Sequence, residues 1–169
     1  MALYHIGHEN EELPEDNETF FHQTLKKWMV LNLSEEYSLF SRRVIKIVTL
    51  PQLVHKKDFV VGLLLEKLAC ASNLSLQPLL ELLYVLARDL REDFYPYFQR
   101  VLDRLICLLN TQDAEQLEWT LVCLAYLFKN LKPYLKRNIG VVFHCILPLL
   151  DERRYEEHVT NFAVECFSF

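Results

Sequence analysis

The chain has 169 residues, 51% hydrophobic and 24% charged, with three glycines and six prolines. That balance suits one folded helical domain and excludes general disorder and a turn-rich sandwich or barrel. The net charge of −5 is concentrated in residues 1–18, which hold six acids and no Lys or Arg; the remaining 18 bases meet 17 acids, too even a balance for a free-standing nucleic-acid binder.

Residues 1–17 read as an acidic, disordered tail. The tetrapeptide His5 to His8 is spelled like the nucleotide-binding signature of class I aminoacyl-tRNA synthetases. No strand precedes it, an acidic tail follows, and no Lys-rich second signature appears, so it is read as chance. A first helix is expected over 18–33, with Phe21, Leu25, Trp28 and Leu31 on one face. Ser34 is placed to cap the next helix, whose first turn holds Glu35 and Glu36 where the dipole favours acids. This helix turns Tyr37, Phe40, Val44, Ile47 and Val48 inward and stops before Pro51. Arg42, Arg43 and Lys46 lie on its other side, a solvated face with phosphate contact as the alternative.

A third helix over roughly 57–71 has Phe59, Leu63, Leu64, Leu68 and Ala71 as its seam, with Gly62 costing about 1 kcal/mol against Ala. Ser75 can cap the following helix, and Pro78 would sit in its first turn. There Leu76, Leu79, Leu80, Leu83, Ala87 and Leu90 form a stripe that Leu82, Val85 and Leu86 widen, as in a helix covered on two sides. Next comes a helix pair over 94–131, with Asp113 and Gln116 resembling a capping box at its second helix. That helix carries Leu117, Leu121, Leu124, Phe128 and Leu131 on one stripe and Trp119, Val122 and Tyr126 on another. A last pair is expected over 134–150 and 156–169. It ends at Phe169 without a polar cap, as expected of a piece of something longer.

Pro96-Tyr97 and Pro133-Tyr134 stand 37 residues apart, each opening an amphipathic helix. A helix-turn-helix unit recurring at this spacing is the signature of an all-α α-solenoid of HEAT-like antiparallel helix pairs, here covering 18–169.

Chemistry is sparse. Three glycines allow no phosphate loop, and there is no GxSxG elbow. The six histidines show no metal-ligand spacing, and His144 with His158 and Cys145 is a weak pairing at best. Hence no catalytic residue, metal, cofactor or small-molecule substrate is expected. The five cysteines, Cys70, Cys107, Cys123, Cys145 and Cys166, are read as buried reduced thiols of a reducing compartment. The sequons at Asn17, Asn32 and Asn73 are read as chance, since residues 1–20 lack the regions of a secretory signal. No apolar run reaches the ~18 residues of a membrane span. The strongest contact patch is Lys129, Lys132, Lys136 and Arg137, four bases in nine residues at an inter-helix turn, with Phe128 and Tyr134 among them. Its bland alternative is a basic helix C-terminus complementing the dipole.

The runs Leu79 to Phe98, Thr111 to Leu131 and Asn161 to Phe169, together with 18–40, resemble the N-terminal region of the DRIM (down-regulated in metastasis) family. These are giant HEAT-repeat proteins, component 20 of the small-subunit processome. The resemblance covers about 18–131 and 158–169; Thr160 stands where the family is expected to have a basic residue. It implies a non-catalytic scaffold of nucleus and nucleolus that supports small-subunit ribosomal RNA processing. Its partners would be processome proteins, the snoRNA-containing particle and precursor ribosomal RNA. The alternative is a generic HEAT-repeat adaptor for protein cargo, without RNA.

Overall fold

The Leu-rich stretch in the middle of the chain becomes the helix on which the others pack. The computed structural model describes residues 17–111 and 113–135. In order they form α1 (Phe20–Leu31), α2 (Glu35–Val44), α3 (Leu50–His55), α4 (Lys57–Ala69), α5 (Asn73–Leu90), a 3-10 segment (Arg91–Tyr97), α6 (Phe98–Leu108) and α7 (Ala114–Leu135). The helices α1, α5 and α7 pack side by side in one layer, and α2, α4 and α6 in a second. Two such layers joined by short turns are the architecture of an α-solenoid. Every position expected on the α5 stripe, including Leu82, Val85 and Leu86, is buried. The helix is apolar nearly all round because neighbours cover it on several sides.

The true repeat differs from the one spelled by the Pro-Tyr pairs. Lys57 and Phe98 open α4 and α6, Asn73 and Ala114 open α5 and α7, and each pair of starts is 41 residues apart. In that register the cores coincide. Val60, Val61, Leu64 and Leu68 of the first unit answer Val101, Leu102, Leu105 and Leu109 of the second, all buried. Likewise Leu76, Leu80, Leu83, Leu86 and Leu90 answer Leu117, Leu121, Leu124, Leu127 and Leu131, again all buried. The Pro-Tyr pairs are not equivalent: Pro96 lies in the 3-10 segment ahead of α6, whereas Pro133 lies inside α7.

Helix ends explain several further departures. Ser34 caps α2 as expected, accepting from Tyr37 N. The cap of α5 is Ser72 rather than Ser75, so Pro78 falls deeper than the first turn. A proline there removes the bond to the carbonyl four residues back. That carbonyl, of Leu74, instead accepts from the Asn32 side chain. Asp113 caps α7 by accepting from Glu115 N at 3.0 Å and Gln116 N at 3.3 Å. The returning arm of the capping box is not made, because Asp113 N donates to Thr111 Oγ1. Instead Gln116 donates to Asn73 Oδ1, and Asn73 donates to Asp113 Oδ2 at 3.3 Å. Glu36 of α2 accepts from Ser72 N, Ser72 Oγ and Ser75 Oγ. These bonds, led by that from Ser75, hold its carboxyl below its ordinary value.

Some side chains expected inside lie outside. Leu31, at the last turn of α1, is exposed, and Trp28 is half-buried, its Nε1 donating to Glu81 Oε2 at 2.6 Å. The second helix ends at Val44 because the short helix α3 starts over Pro51, so Ile47, buried as expected, and the half-buried Val48 follow the helix rather than belong to it. Phe59 is 42% exposed, since α4 turns its Val60, Val61, Leu64 and Leu68 faces inward. Cys123 is buried, which pushes its thiol up. Cys70 and Cys107 are exposed: Cys70 is the C-cap of α4, and Cys107 lies off the α6 stripe of Phe98, Val101, Leu102 and Leu105. The acidic tail with its His5–His8 tetrapeptide, Cys145, Cys166, His144, His158 and the last helix pair lie outside the described residues.

Candidate functional site

Of the four bases singled out in sequence, Lys129 and Lys132 are described, and Lys136 and Arg137 lie outside the described residues. The expected turn at this place is not made. Instead α7 runs on through Pro133 to Leu135, so Lys129 and Lys132 sit on helix, three residues apart and hence on one side of it. Lys129 is half-buried and Lys132 exposed, and neither forms an ion pair with a described residue. Pro133 supplies no N–H to the carbonyl of Lys129.

The preceding turns of α7 are firmly held. Tyr126 stacks on Tyr84 of α5 with ring centroids 4.6 Å apart and planes 15° from parallel. Asn130 donates to the Tyr84 carbonyl at 3.2 Å, and Phe128 meets Phe98 of α6 at 6.2 Å. The two lysines are thus presented from a rigid helix, where they can meet phosphate or carboxylate as point charges.

A second basic cluster gathers where α2 ends and α4 begins. Arg42 and Arg43 occupy the last turn of α2, Lys46 follows, and Lys56 is the residue before α4; all four are exposed. The Arg43 guanidinium lies 5.3 Å from the centre of the Phe59 ring. The sequence groups Arg42, Arg43 and Lys46 on one face, but its assignment of Phe59 to the core hides the ring beside them. A clue was available, because Val60-Val61 continues to Leu64-Leu65 and Leu68 as the fuller seam.

A cleft of about 100 Å³ is lined by Glu36, Leu39, Lys67, Cys70, Ser75 and Leu79, below the ~300 Å³ at which small-molecule sites begin. Among the described residues no group of three His, Cys, Asp or Glu side chains is placed to hold a metal ion, and no helix is long and apolar enough to cross a membrane. The buried carboxyl of Asp89 serves structure: it accepts from Phe20 N at 3.3 Å and Phe21 N at 2.7 Å at the start of α1. Burial pushes its carboxyl up to about 6 against these two bonds.

Comparison with known proteins gives one family. The chain is 36% identical over 156 residues to U3 small nucleolar RNA-associated protein 20 of Schizosaccharomyces pombe, covering 92% of this chain. It is 30% identical over 154 residues to the protein of the same name from Saccharomyces cerevisiae, covering 88% of this chain. The chain spans about 6% of the length of each of these relatives. No family model matches it.

Proposed function

From the chain's homology, over nine-tenths of its length, to a segment of the family of U3 small nucleolar RNA-associated protein 20, we propose that it is part of a non-catalytic scaffold for ribosome biogenesis. It acts in the nucleolus, within the small-subunit processome, and supports processing of small-subunit ribosomal RNA. The observation that carries this reading is the 36% identity extending over 92% of the chain. The stacked helix pairs support it, because a solenoid offers a long surface and needs no pocket.

In this role the leucine seams keep the rod rigid and residues on its edges make the contacts. Lys129, Lys132, Lys136 and Arg137 are the first edge we assign to a partner, RNA or protein. The pairing of Lys129 with Lys132 on one side of α7 supports that assignment.

The test is purification of the tagged chain from nuclear extract, with bound RNA and protein identified. Enrichment of U3 small nucleolar RNA and small-subunit precursor RNA is expected. Cytoplasmic or transport proteins without ribosomal RNA would instead support a generic adaptor and overturn the scaffold reading. Reversing charge at Lys132, Lys136 and Arg137 is expected to weaken the captured complex in a salt-dependent way.

A further inference from the structure

We propose that the Arg43–Phe59 pair, with Arg42, Lys46 and Lys56 around it, is a contact site for single-stranded RNA. Three observations converge on this surface.

First, Phe59 is exposed at a position where the second helix pair carries a charged side chain. In the 41-residue register its counterpart on α6 is Arg100, also exposed. The neighbouring positions Val60 and Val101 are both buried, so the register is secure there. The Phe59 ring is not part of the core that α4 helps to build.

Second, the ring carries a guanidinium. Arg43 stands 5.3 Å from its centre, and the two planar groups present faces of the kind on which nucleobases stack. Phe59 is 42% exposed even with Arg43 beside it, so ring surface remains for a ligand.

Third, the cations around the pair are unspent. Arg42, Arg43, Lys46 and Lys56 are exposed and form no ion pair with a described residue. The acid next in sequence, Asp58, accepts from Tyr97 Oη, and the base beside it, Lys57, is held by Asp93. Complementing the α2 dipole accounts for Arg42 and Arg43 in its last turn. Lys56 joins two helices, as the C-cap of α3, whose dipole favours it, and as the residue before α4, whose dipole does not.

Positive charge flanking an exposed aromatic is how sequence-tolerant single-strand binding is built: cations follow the phosphates while the ring stacks a base. An acidic protein segment would use the cations alone and leave the ring idle. Duplex RNA keeps its bases stacked on one another and would also ignore it. The preference for RNA over DNA rests on the RNA-processing role proposed above; the site itself rests on geometry. Its residues are separate from the Lys129–Arg137 edge, so its failure would leave the scaffold reading standing.

The test is fluorescence anisotropy of a short labelled oligouridylate titrated with the full chain across a range of salt. Neutralising the cluster (Arg42→Gln, Arg43→Gln, Lys46→Gln, Lys56→Gln) is expected to lower affinity about tenfold or more at low salt. It should also flatten the dependence of log affinity on log salt by roughly 0.7 for each phosphate no longer neutralised. Phe59→Ala and Phe59→Leu are each expected to lower affinity about tenfold with the salt slope unchanged, and Phe59→Trp to retain it. Phe59→Leu preserves apolar bulk, so its loss separates stacking from packing, and an unchanged melting temperature confirms the fold. Wild-type affinity in both Phe59→Leu and the neutralised variant would overturn the proposal. So would an equal Phe59→Leu effect on duplex RNA, or binding confined to an acidic peptide. A chain that loses oligouridylate only when Lys129, Lys132, Lys136 and Arg137 are neutralised would place RNA on the other edge and also overturn it.

Discussion

The pairs α4–α5 and α6–α7 are two versions of one unit, and they differ in how much of their surface the fold covers. In α4 six residues are buried, including Leu63 and Leu65 on either side of the shared seam. In α6 the counterparts are Arg104 and Ile106, both only half-buried. The difference follows from position: α4 packs against α2, α3, α5 and α6, whereas among the described elements α6 meets α4, α7 and the 3-10 segment. The same repeat therefore becomes a core helix in one place and an amphipathic flank in the other, and burial is set by neighbours as much as by pattern.

The sharpest way to break the comparison is to truncate the two equivalent leucines. Leu64→Ala is expected to cost about 4 kcal/mol and Leu105→Ala about 2–3 kcal/mol, because the site in α6 has more room to relax. Urea denaturation of both variants checks the order, and equal costs would mean that the surroundings of α4 add nothing. A second effect, within the first layer, is read through pH. Asp89 is raised in the folded chain from an ordinary 3.8 to about 6. Its protonation favours the fold, so this contribution is fully present below about pH 4 and is lost as pH rises through about 6. Relative to Asp89→Asn, the wild type is expected to lose roughly 3 kcal/mol of stability across that window, as read by chemical melts at several pH values. A flat difference would show that the N–H groups of Phe20 and Phe21 offset the burial.

Caps give a finer contrast. Asp113 and Ser72 are equivalent, but Asp113 caps its helix with its own side chain while Ser72 makes no such bond. Asp113→Ala is expected to cost about 1 kcal/mol. Ser72→Ala is expected to act through the bond from its hydroxyl to Glu36 alone and to cost less. Thermal melts of the two variants test the order. The smallest expected effect is a gain. A side chain built at Gly62 meets nothing within 4 Å, so Gly62→Ala should stabilise by about 1 kcal/mol or slightly less. A loss of stability on melting would reveal a packing role for the glycine.

How much of this was legible in sequence depends on what each feature needs. The α5 stripe, the Ser34 cap and the leucine stripe of α7 are written in local spacing, and a one-dimensional reading finds them; the end of α7 is not, since Pro133 reads as a new start. The 41-residue register is not, because its evidence is burial shared between distant helices. The Pro-Tyr pairs offered a louder but false spacing. Phe59 was misplaced for a related reason: two apolar faces of α4 compete, and only the packing of α2 and α5 decides which one turns inward. The short helix α3 was missed because Pro51 read as a stop, although proline is equally at home in a first turn. Of the candidate contact residues, the proximity of Lys129 and Lys132 was legible. The meeting of Arg43 with Phe59 across two helices was not.

The polar ties at one end of the helices, Asn32 to Leu74, Glu36 to Ser72 and Ser75, and Asn73 to Asp113 and Gln116, bear on a question that leucines cannot answer. Seams made of one residue type are nearly degenerate, since sliding one helix past another by a turn replaces leucine with leucine. Hydrogen bonds have no such tolerance and are satisfied at a single offset. In a long array, where a slip in one unit would carry into the next, these few side chains decide which of many similar packings is adopted.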